Sequence, residues 1–395
     1  MRLKKLFDRC NIYILLWTLG YVQNLFYSSS LLSMIFYIPY ILMTIYYFYI
    51  AITTFKLGGP MKAIAAFFIL MIIYGVFLLL LNDARGQERT SFLLMLFGSL
   101  GPIFPLYVFA KQGLLTEERM KSWFWIFLII ATTDYYVTGR NALEKAMSRG
   151  SRYEEATNNS TYFIAALLPF VFLFRKRPII QYGLLTYIVF FVISGMKRGA
   201  IIVMALMLLW FIYKSFHSER RGRKVLVIIL ATVFVVEGIK YIEQFAENSD
   251  YFQYRIESTM DGASSGRDKI YSQLWSHYKF NDNILQLAFG EGAYHTENIT
   301  GRAKAHNDWL ELLIDCGLLG VIFYFIYWVS FYKTWRKSKG NFLVYSMMGA
   351  GLLFTFVRTF FSMSFSNMPF YMSVILAYCF ANWNKKTDNL IDNTL

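Results

Sequence analysis

The sequence predicts an all-α polytopic integral membrane protein with about 12 transmembrane helices and one large outer loop. Of its 395 residues, 56% are hydrophobic and only 16% are charged, whereas roughly a quarter of the residues in a soluble domain are charged. Apolar runs such as 31–50 and 342–361 approach or reach the roughly 20 residues that cross a hydrocarbon core about 30 Å thick. Basic residues concentrate in alternate short segments between these runs. We therefore expect the bilayer to be the solvent for most of the chain.

The predicted helices follow the apolar stretches between charged breaks. They lie near residues 11–27, 31–51, 63–81, 91–110, 122–138, 160–174, 178–194, 199–213, 225–240, 317–333, 342–361 and 369–383. An even number of spans puts both termini on the same side of the membrane.

The distribution of basic residues predicts the orientation. If both termini are cytoplasmic, 23 of the 39 lysines and arginines fall in short inner segments, as the positive-inside rule requires. The sequence therefore predicts a multi-pass protein of the cell inner membrane with cytoplasmic N and C termini. The net charge of +14 is explained by this topology and by anchoring to anionic membrane lipids, so no nucleic-acid partner is expected.

Four regions follow from this topology. Residues 1–240 hold about nine spans, 241–316 form the large outer loop, 317–383 hold the C-terminal spans and 384–395 form a cytoplasmic tail. The first apolar run ends without a small-residue cleavage site, so we expect an uncleaved first helix. Cys10, Cys316 and Cys379 lack metal-ligand spacing, and the sequence predicts no metal site and no cofactor.

The first motif is Ser194-Gly-Met-Lys-Arg-Gly199, a tight turn between two apolar runs. It places Lys197 and Arg198 at the outer boundary of the membrane, against the positive-inside bias. Cations near the apolar region are costly, which indicates an anionic partner. The alternative is a pair of snorkelling side chains that fixes the end of the helix.

The second motif is a helix that follows Gly266 in the large loop. Ile270, Leu274 and Tyr278 recur at helical spacing, and Arg267 begins this helix. A guanidinium beside the free amides of a helix N-terminus suits phosphate oxygens. Pairing of Arg267 with a nearby acid remains the alternative.

The third motif is the most specific: His306-Asn-Asp-Trp-Leu-Glu-Leu-Leu-Ile-Asp-Cys-Gly-Leu-Leu-Gly320. It predicts a short interfacial helix that starts near His306 and Asn307 and is closed by Gly317. Acids at the i, i+3 and i+7 positions give this helix one acidic face. His306 would then lie at the water boundary, where an imidazole can take a proton. A hydrogen-bonded structural histidine is the alternative.

These motifs resemble the superfamily of O-antigen polymerases (Wzy) and O-antigen ligases. The run from His306 to Gly320 is similar to the hallmark segment that follows the large outer loop of these enzymes. The turn at Met196-Lys-Arg-Gly199 and the Gly266-Arg267 element are similar to two further family features. The resemblance implies a GT-C-like architecture.

The resemblance also implies the activity and the site. Family members join oligosaccharides carried on polyprenyl diphosphate, so the expected partners are an undecaprenyl-diphosphate-linked donor and acceptor, with a chain-length regulator as a further partner. It implies that His306 is catalytic and that arginines hold the diphosphate without a metal ion. The expected diphosphate-binding residues are Arg198, Arg267, Lys197, Arg255, Arg302 and Arg358. Asn307, Asp308 and Glu311 are expected to support and orient the histidine.

Three functions remain open at this point. The first is a polysaccharide polymerase of the O-antigen or capsule type, acting by inverting transfer. The second is an O-antigen ligase that transfers polymer to lipid A core or protein. The third is a flippase for lipid-linked oligosaccharides, which would carry ionisable residues deep in several spans; most spans here are uncharged.

Aromatic residues of the outer loop region are a last group of candidates. They are placed where sugar rings could stack on them, although interface packing explains most aromatic residues of such a chain. The group comprises Tyr271, Trp275, Tyr278, Tyr294 and Trp309.

Overall fold

The computed structural model describes residues 8–26, 30–80, 86–139, 159–195, 197–218, 267–301 and 304–385. These residues form α-helices and short 3₁₀ and π segments, and the described ranges contain no strand. The α-helices are α1 (Arg9–Phe26), α2 (Ser30–Thr54), α3 (Pro60–Leu80), α4 (Gly86–Ser99), α5 (Ile103–Lys111), α6 (Glu117–Asp134), α7 (Ser160–Ala165), α8 (Pro178–Ser194), α9 (Arg198–Ser218), α10 (Arg267–Lys279), α11 (Ile284–Phe289), α12 (His295–Ile299), α13 (Asp308–Asp315), α14 (Gly317–Lys337), α15 (Phe342–Phe361) and α16 (Phe370–Asn382).

The all-α membrane class is confirmed in its coarse form. Within the described ranges, six helical stretches are long and apolar enough to cross a bilayer: Met34–Thr54, Pro60–Phe77, Phe92–Lys111, Arg198–Phe216, Gly317–Gly340 and Phe342–Phe361. Three shorter apolar stretches accompany them, Ser160–Phe174, Pro178–Ser194 and Phe370–Asn382. The predicted span 225–240 lies outside the described residues, and a total of about 12 stays a prediction.

Three predicted spans are not continuous α-helices. One of them, 122–138, changes from α6 to a π segment at Tyr135–Gly139, and the other two are interrupted. The predicted span 91–110 is interrupted between α4 and α5, because Pro102 has no N–H to continue the hydrogen-bond ladder. The predicted span 160–174 begins as α7 and continues as a 3₁₀ segment, Leu168–Phe174. Both interruptions lie among buried side chains, where surrounding protein can satisfy the freed backbone groups.

The centre of the bundle is formed by α5 and α16, which pack against each other. Every residue of α16 is buried, and so is every residue of α5 except Lys111. By contrast, α2 exposes large apolar side chains, among them Leu42 and Tyr49, which are about 60% accessible (60% and 62%). An apolar outer surface of this kind suits a lipid environment. Side chains of α5 and α16 therefore fill the centre of the bundle, and the apolar outer surface is suited to contact with lipid.

The ends of the helices sort into two opposite faces. At one face Arg119 forms an ion pair with Asp8 at 2.5 Å, and Asn341 donates a hydrogen bond to the Lys385 carbonyl at 3.1 Å. The other face, which we call the loop face, carries α10 to α13. There Tyr74 of α3 donates to the Cys316 carbonyl at 3.3 Å. Which of the two faces is cytoplasmic stays a prediction.

The loop face has a small core of its own. Leu274 of α10, Ala305 and Ile314 of α13 are fully or almost fully buried against one another, and Ile270 and Tyr278 pack on them. The helix predicted from the spacing of Ile270, Leu274 and Tyr278 is present, and these three residues lie on its packed side. This core connects the helix that begins with Arg267 to the helix that follows His306.

Candidate active site

His306 lies in an exposed turn directly before α13. Its backbone adopts the left-handed conformation, with φ of 52°, which costs a residue with a side chain on the order of 1–3 kcal/mol. Asn307 begins the helix as predicted, because its side chain accepts hydrogen bonds from the amides of Trp309 at 3.0 Å and Leu310 at 3.2 Å. Gly317 ends this segment with φ of 61°, also as predicted. The imidazole is thus presented to water by a strained turn on a fixed helix.

The acidic face of α13 points into the protein. Asp308 is completely buried and accepts hydrogen bonds from the Tyr324 hydroxyl at 2.6 Å and the Ser364 amide at 3.0 Å. Burial raises the pKa of Asp308 to about 7, although these hydrogen bonds oppose the rise. Asp308 was expected to orient His306. Its contacts are with Tyr324 and Ser364 and fix the first turn of the helix that follows the histidine, and the orienting role stays a prediction.

The other end of α13 is held by Asp315. Its carboxylate accepts hydrogen bonds from the amide of Tyr294 at 3.0 Å and from the amide and hydroxyl of Thr296, both at 2.9 Å. Burial raises the pKa of Asp315 to about 7. Between the two aspartates, burial and the charge of Asp315 raise the pKa of Glu311 well above its usual value. These acids therefore position the helix and are not exposed to a substrate in the described conformation.

Three cations lie close enough to His306 to lower the pKa of its imidazole. Partial loss of water contact, followed by the charges of Arg267, Lys197 and Lys304, lowers the pKa of His306 to about 4. The imidazole is consequently neutral at neutral pH and can accept a proton. The two predicted motifs that supply Arg267 and Lys197 thus come together with the third, and Lys304 joins them.

Arg267 is fixed against the end of α15. Its Nη1 atom donates to the Phe361 carbonyl at 3.1 Å, and the Tyr271 hydroxyl one turn later donates to the Phe360 carbonyl at 3.5 Å. Arg267 is the first residue of α10, as predicted. The guanidinium has five N–H donors, so one bond to a carbonyl is compatible with a second acceptor such as a phosphate oxygen.

The turn between α8 and α9 needs its glycines because it packs closely on α7. A Cβ atom at Gly199 would collide with the Tyr162 hydroxyl, and one at Gly195 would collide with the Thr161 hydroxyl. Arg198 is the half-buried first residue of α9, directly after Lys197. The close packing on α7 therefore fixes the position of the turn that carries Lys197 and Arg198.

Arg358 lies beneath this region and is 1% exposed. Its Nη2 atom donates to the carbonyls of Met363 at 3.1 Å and Asn367 at 3.0 Å, and its guanidinium lies 4.7 Å from the centre of the Tyr162 ring. The positive charge of Arg358 also lowers the pKa of Asp308, against the larger effect of burial. Arg358 was expected to assist at the diphosphate; in the described conformation it is buried and fixes the loop that Asp308 contacts.

The other predicted residues are distributed as follows. Arg255 and Arg302 lie outside the described residues, so their roles stay predictions. Among the aromatic candidates, Trp275 is 55% exposed and stacks with Tyr278 at 6.2 Å. Trp309 instead donates to the Thr359 hydroxyl at 2.9 Å and is half-buried. Trp275 is therefore better placed than Trp309 to meet a sugar ring.

Several residues of the site were not predicted from the sequence. Lys304 precedes His306 by two residues, and Tyr162 lies between Gly199 and Arg358. The sequence also predicted no metal ligands, whereas His277, Glu291 and His295 converge elsewhere on the loop face. The signal for that group was present, since three of the four histidines in the chain fall between residues 277 and 306.

Comparison of the chain with models of known protein families and with curated proteins gives no match. The chemistry of the site must therefore be argued from its own residues. An exposed neutral imidazole, surrounded by cations at the end of apolar helices, can accept a proton from a hydroxyl while the cations stabilise an anion.

Proposed function

We propose that this chain is a glycosyltransferase that polymerises oligosaccharide repeat units carried on polyprenyl diphosphate, at the outer face of the cell inner membrane. The proposal includes a GT-C-like arrangement of about 12 spans with cytoplasmic termini. One observation carries it: the positive charges of Arg267, Lys197 and Lys304 together help to lower the pKa of the exposed His306 imidazole. Such a site suits a substrate with a lipid tail, an anionic group and a reactive hydroxyl.

The cations define the anionic part of the substrate. Arg267 contacts the end of the apolar helix α15 and Lys197 directly precedes the apolar helix α9, where a carrier lipid would present its diphosphate. Departure of a diphosphate develops negative charge, and fixed guanidinium and ammonium groups stabilise it without reorganisation. The proposed reaction therefore needs no metal ion at the leaving group.

His306 supplies the proton acceptor. The acceptor sugar hydroxyl attacks the anomeric carbon of the donor glycan, its proton passes to the imidazole, and the bond from that carbon to the diphosphate oxygen breaks. Polyprenyl diphosphate leaves with the electron pair of that bond. Attack opposite the leaving group inverts the anomeric configuration.

The low pKa of His306 fits a base that becomes stronger when substrate binds. Two effects lower this pKa, partial loss of water contact and the positive charges of Arg267, Lys197 and Lys304. A bound diphosphate offsets those charges and favours the protonated imidazole. The base therefore gains strength when the donor is in place.

The same residues would serve a ligase that transfers finished polymer to lipid A core or protein. A flippase without chemistry is less well supported, because the cations gather at one boundary of the bundle and His306 is exposed there. Among the described spans, the buried Arg358 is tied to the backbone of a nearby loop. The polymerase and the ligase differ in the acceptor that receives the glycan, so the choice of acceptor distinguishes them.

Reconstitution in vesicles tests the proposal. Purified protein would receive synthetic polyprenyl-diphosphate repeat units in buffer without added magnesium or manganese. The proposal predicts products that grow by whole repeat units and release of one polyprenyl diphosphate per linkage, both lost in His306→Ala. Elongation only when lipid A core or protein is supplied would favour the ligase. Movement of the lipid across the vesicle without elongation would contradict both enzymes.

A further inference from the structure

Two histidines and a glutamate, none of them among the residues assigned to the His306 site, converge on the loop face. The Nε2 atom of His277 lies 2.6 Å from Oε1 of Glu291, and the Nε2 atom of His295 lies 2.7 Å from Oε2 of the same carboxylate. All three donor atoms fall within 4.8 Å of one another. The side chains of His277 and His295 are about a third exposed, 35% and 31%. An ion could therefore reach them from water.

The backbone holds these three side chains in convergent positions. His277 lies in the last turn of α10, and His295 is the first residue of α12. Glu291 follows Gly290, which has φ of 78° and no room for a Cβ atom against the backbone of Asp315. The Glu291 amide donates to the Ile314 carbonyl at 3.0 Å. The cluster is thus built on elements that the rest of the loop face fixes.

A neighbouring amide orients the carboxylate. The Asn281 side chain donates from Nδ2 to Oε1 of Glu291 at 3.1 Å and to Oε1 of Gln286 at 3.0 Å. Partners of this kind, which hold a ligating carboxylate from outside, are a recurring feature of metal sites. A surface group of three titratable residues without a built site would not need such support.

We propose that His277, Glu291 and His295 bind one divalent metal ion of the zinc class. Two imidazoles and one carboxylate are a ligand set that zinc uses, with a fourth position for water, and imidazole ligands favour zinc over magnesium or calcium. Ligands about 2.0 Å from a tetrahedral zinc lie roughly 3.3 Å apart. The two imidazole-to-carboxylate separations, 2.6 and 2.7 Å, are shorter than that distance, and no pair of the three atoms is more than 4.8 Å apart.

The ion would join parts of the loop face that carry the proposed active site. It would link α10, which begins with Arg267, to α12, whose amides are held by Asp315 of α13. His306 lies directly before α13. The metal would therefore stabilise the arrangement of Arg267 relative to His306 and is assigned no part in the reaction. The inference stands on the three ligands alone and does not depend on the proposed function.

Zinc binding to the full-length protein in detergent tests this inference. A preparation without a histidine tag would be stripped with chelator, dialysed against zinc and analysed for metal. We expect one zinc per chain in the wild type, near zero in His277→Ala and His295→Ala, and one in the matched control His306→Ala. Equal zinc content in the wild type and a folded His277→Ala/His295→Ala double variant would overturn the site. Loss of zinc in His306→Ala alone would do the same.

A second measurement keeps the inference testable if those variants do not fold. X-ray absorption at the zinc edge of the loaded wild type should show two imidazoles and oxygen ligands, with no sulfur. Sulfur ligands would place the ion at cysteines, and a chain that takes up no zinc would leave a hydrogen-bonded His–Glu–His group in place of a metal site. Either result contradicts the proposal.

Discussion

The Nη1 atom of Arg267 donates a hydrogen bond to the main-chain oxygen of Phe361 at 3.1 Å. This bond joins the first residue of a loop helix to the last residue of a membrane helix. It holds a guanidinium at the end of α15, close enough to His306 to lower the pKa of the imidazole. The following predictions depend on this arrangement.

Replacement of Arg267 by lysine should lower kcat/KM by about 10²- to 10³-fold, the usual effect of losing one preorganised donor. Lysine keeps the charge but cannot offer the planar fork that contacts a carbonyl and a phosphate together. The measurement is the rate of repeat-unit transfer in vesicles. Lys269→Ala, at an exposed position on the same helix, is the matched control and should keep its activity. Full activity of Arg267→Lys would exclude a two-acceptor role.

Replacement of His306 should separate activity from stability. Both His306→Ala and His306→Gly should lose about 10²- to 10⁴-fold in rate, as expected for a positioned base. Because position 306 has φ of 52°, glycine removes the backbone strain that alanine keeps. We expect His306→Gly to be more stable than His306→Ala by about 1 kcal/mol, measured by thermal unfolding in detergent. Equal stability of the two variants would contradict the strained turn.

The pH dependence of the rate should differ between free enzyme and complex. Activity requires neutral His306, so the rate falls as the pH falls through its pKa, which is about 4 in the free chain. The acid limb of kcat/KM should therefore lie near 4, and that of kcat should lie higher, because bound diphosphate offsets the nearby cations.

Lys304→Gln provides the check on this pH prediction. Removing this cation should raise the pKa of His306 and move the limb of kcat/KM toward higher pH. An acid limb near 7 in both parameters would implicate Asp308, whose pKa is raised to about 7, in place of the histidine.

Two acids on α13 should respond differently to amide substitution. Asp315 accepts three hydrogen bonds through its two oxygens, so Asp315→Asn places an N–H₂ group against an N–H donor and should cost about 1–3 kcal/mol. Glu311 carries a buried Oε2 atom without a hydrogen-bond partner among the described residues, so Glu311→Gln should be tolerated. Hydrogen exchange of residues 291–300 measures the difference. Faster exchange in Glu311→Gln than in Asp315→Asn would reverse this assignment.

The close contact between Gly199 and Tyr162 predicts a compensating pair. Gly199→Ala should displace the Lys197–Arg198 turn and reduce activity, because the new methyl group collides with the Tyr162 hydroxyl. Tyr162→Phe removes that hydroxyl, so the Gly199→Ala/Tyr162→Phe double variant should recover much of the rate. Comparison of the three variants forms a double-mutant cycle. Purely additive losses would show that the turn is not positioned by this contact.

The membrane helices could be predicted from the sequence because their signal is local. Runs of apolar residues predicted the helical segments described here, whereas the topology inferred from the basic residues stays a prediction. The interruption at Pro102 and the 3₁₀ segment after α7 were not predicted, because buried surroundings tolerate breaks that hydropathy does not register. The three motifs could also be recognised from the sequence, because each is a short continuous run of residues.

The arrangement of the site depended on contacts between distant parts of the chain. The acidic pattern of α13 was visible, but its burial follows from Tyr324, Ser364 and Thr296, which no spacing rule connects to it. Arg358 likewise looked like an available cation until its contacts with Met363 and Asn367 were known. Side chains joined only by tertiary packing are where a single sequence is least informative.

The central claim is that His306 faces the outer aqueous compartment, and thiol labelling tests it most directly. The described cysteines are buried, so a membrane-impermeant maleimide applied to intact cells reports an introduced cysteine. We expect His306→Cys to be labelled without permeabilisation, and Lys385→Cys, which is also exposed, to be labelled only after permeabilisation. Labelling of His306→Cys only in permeabilised cells would show that position 306 faces the cytoplasm and would exclude the proposed site.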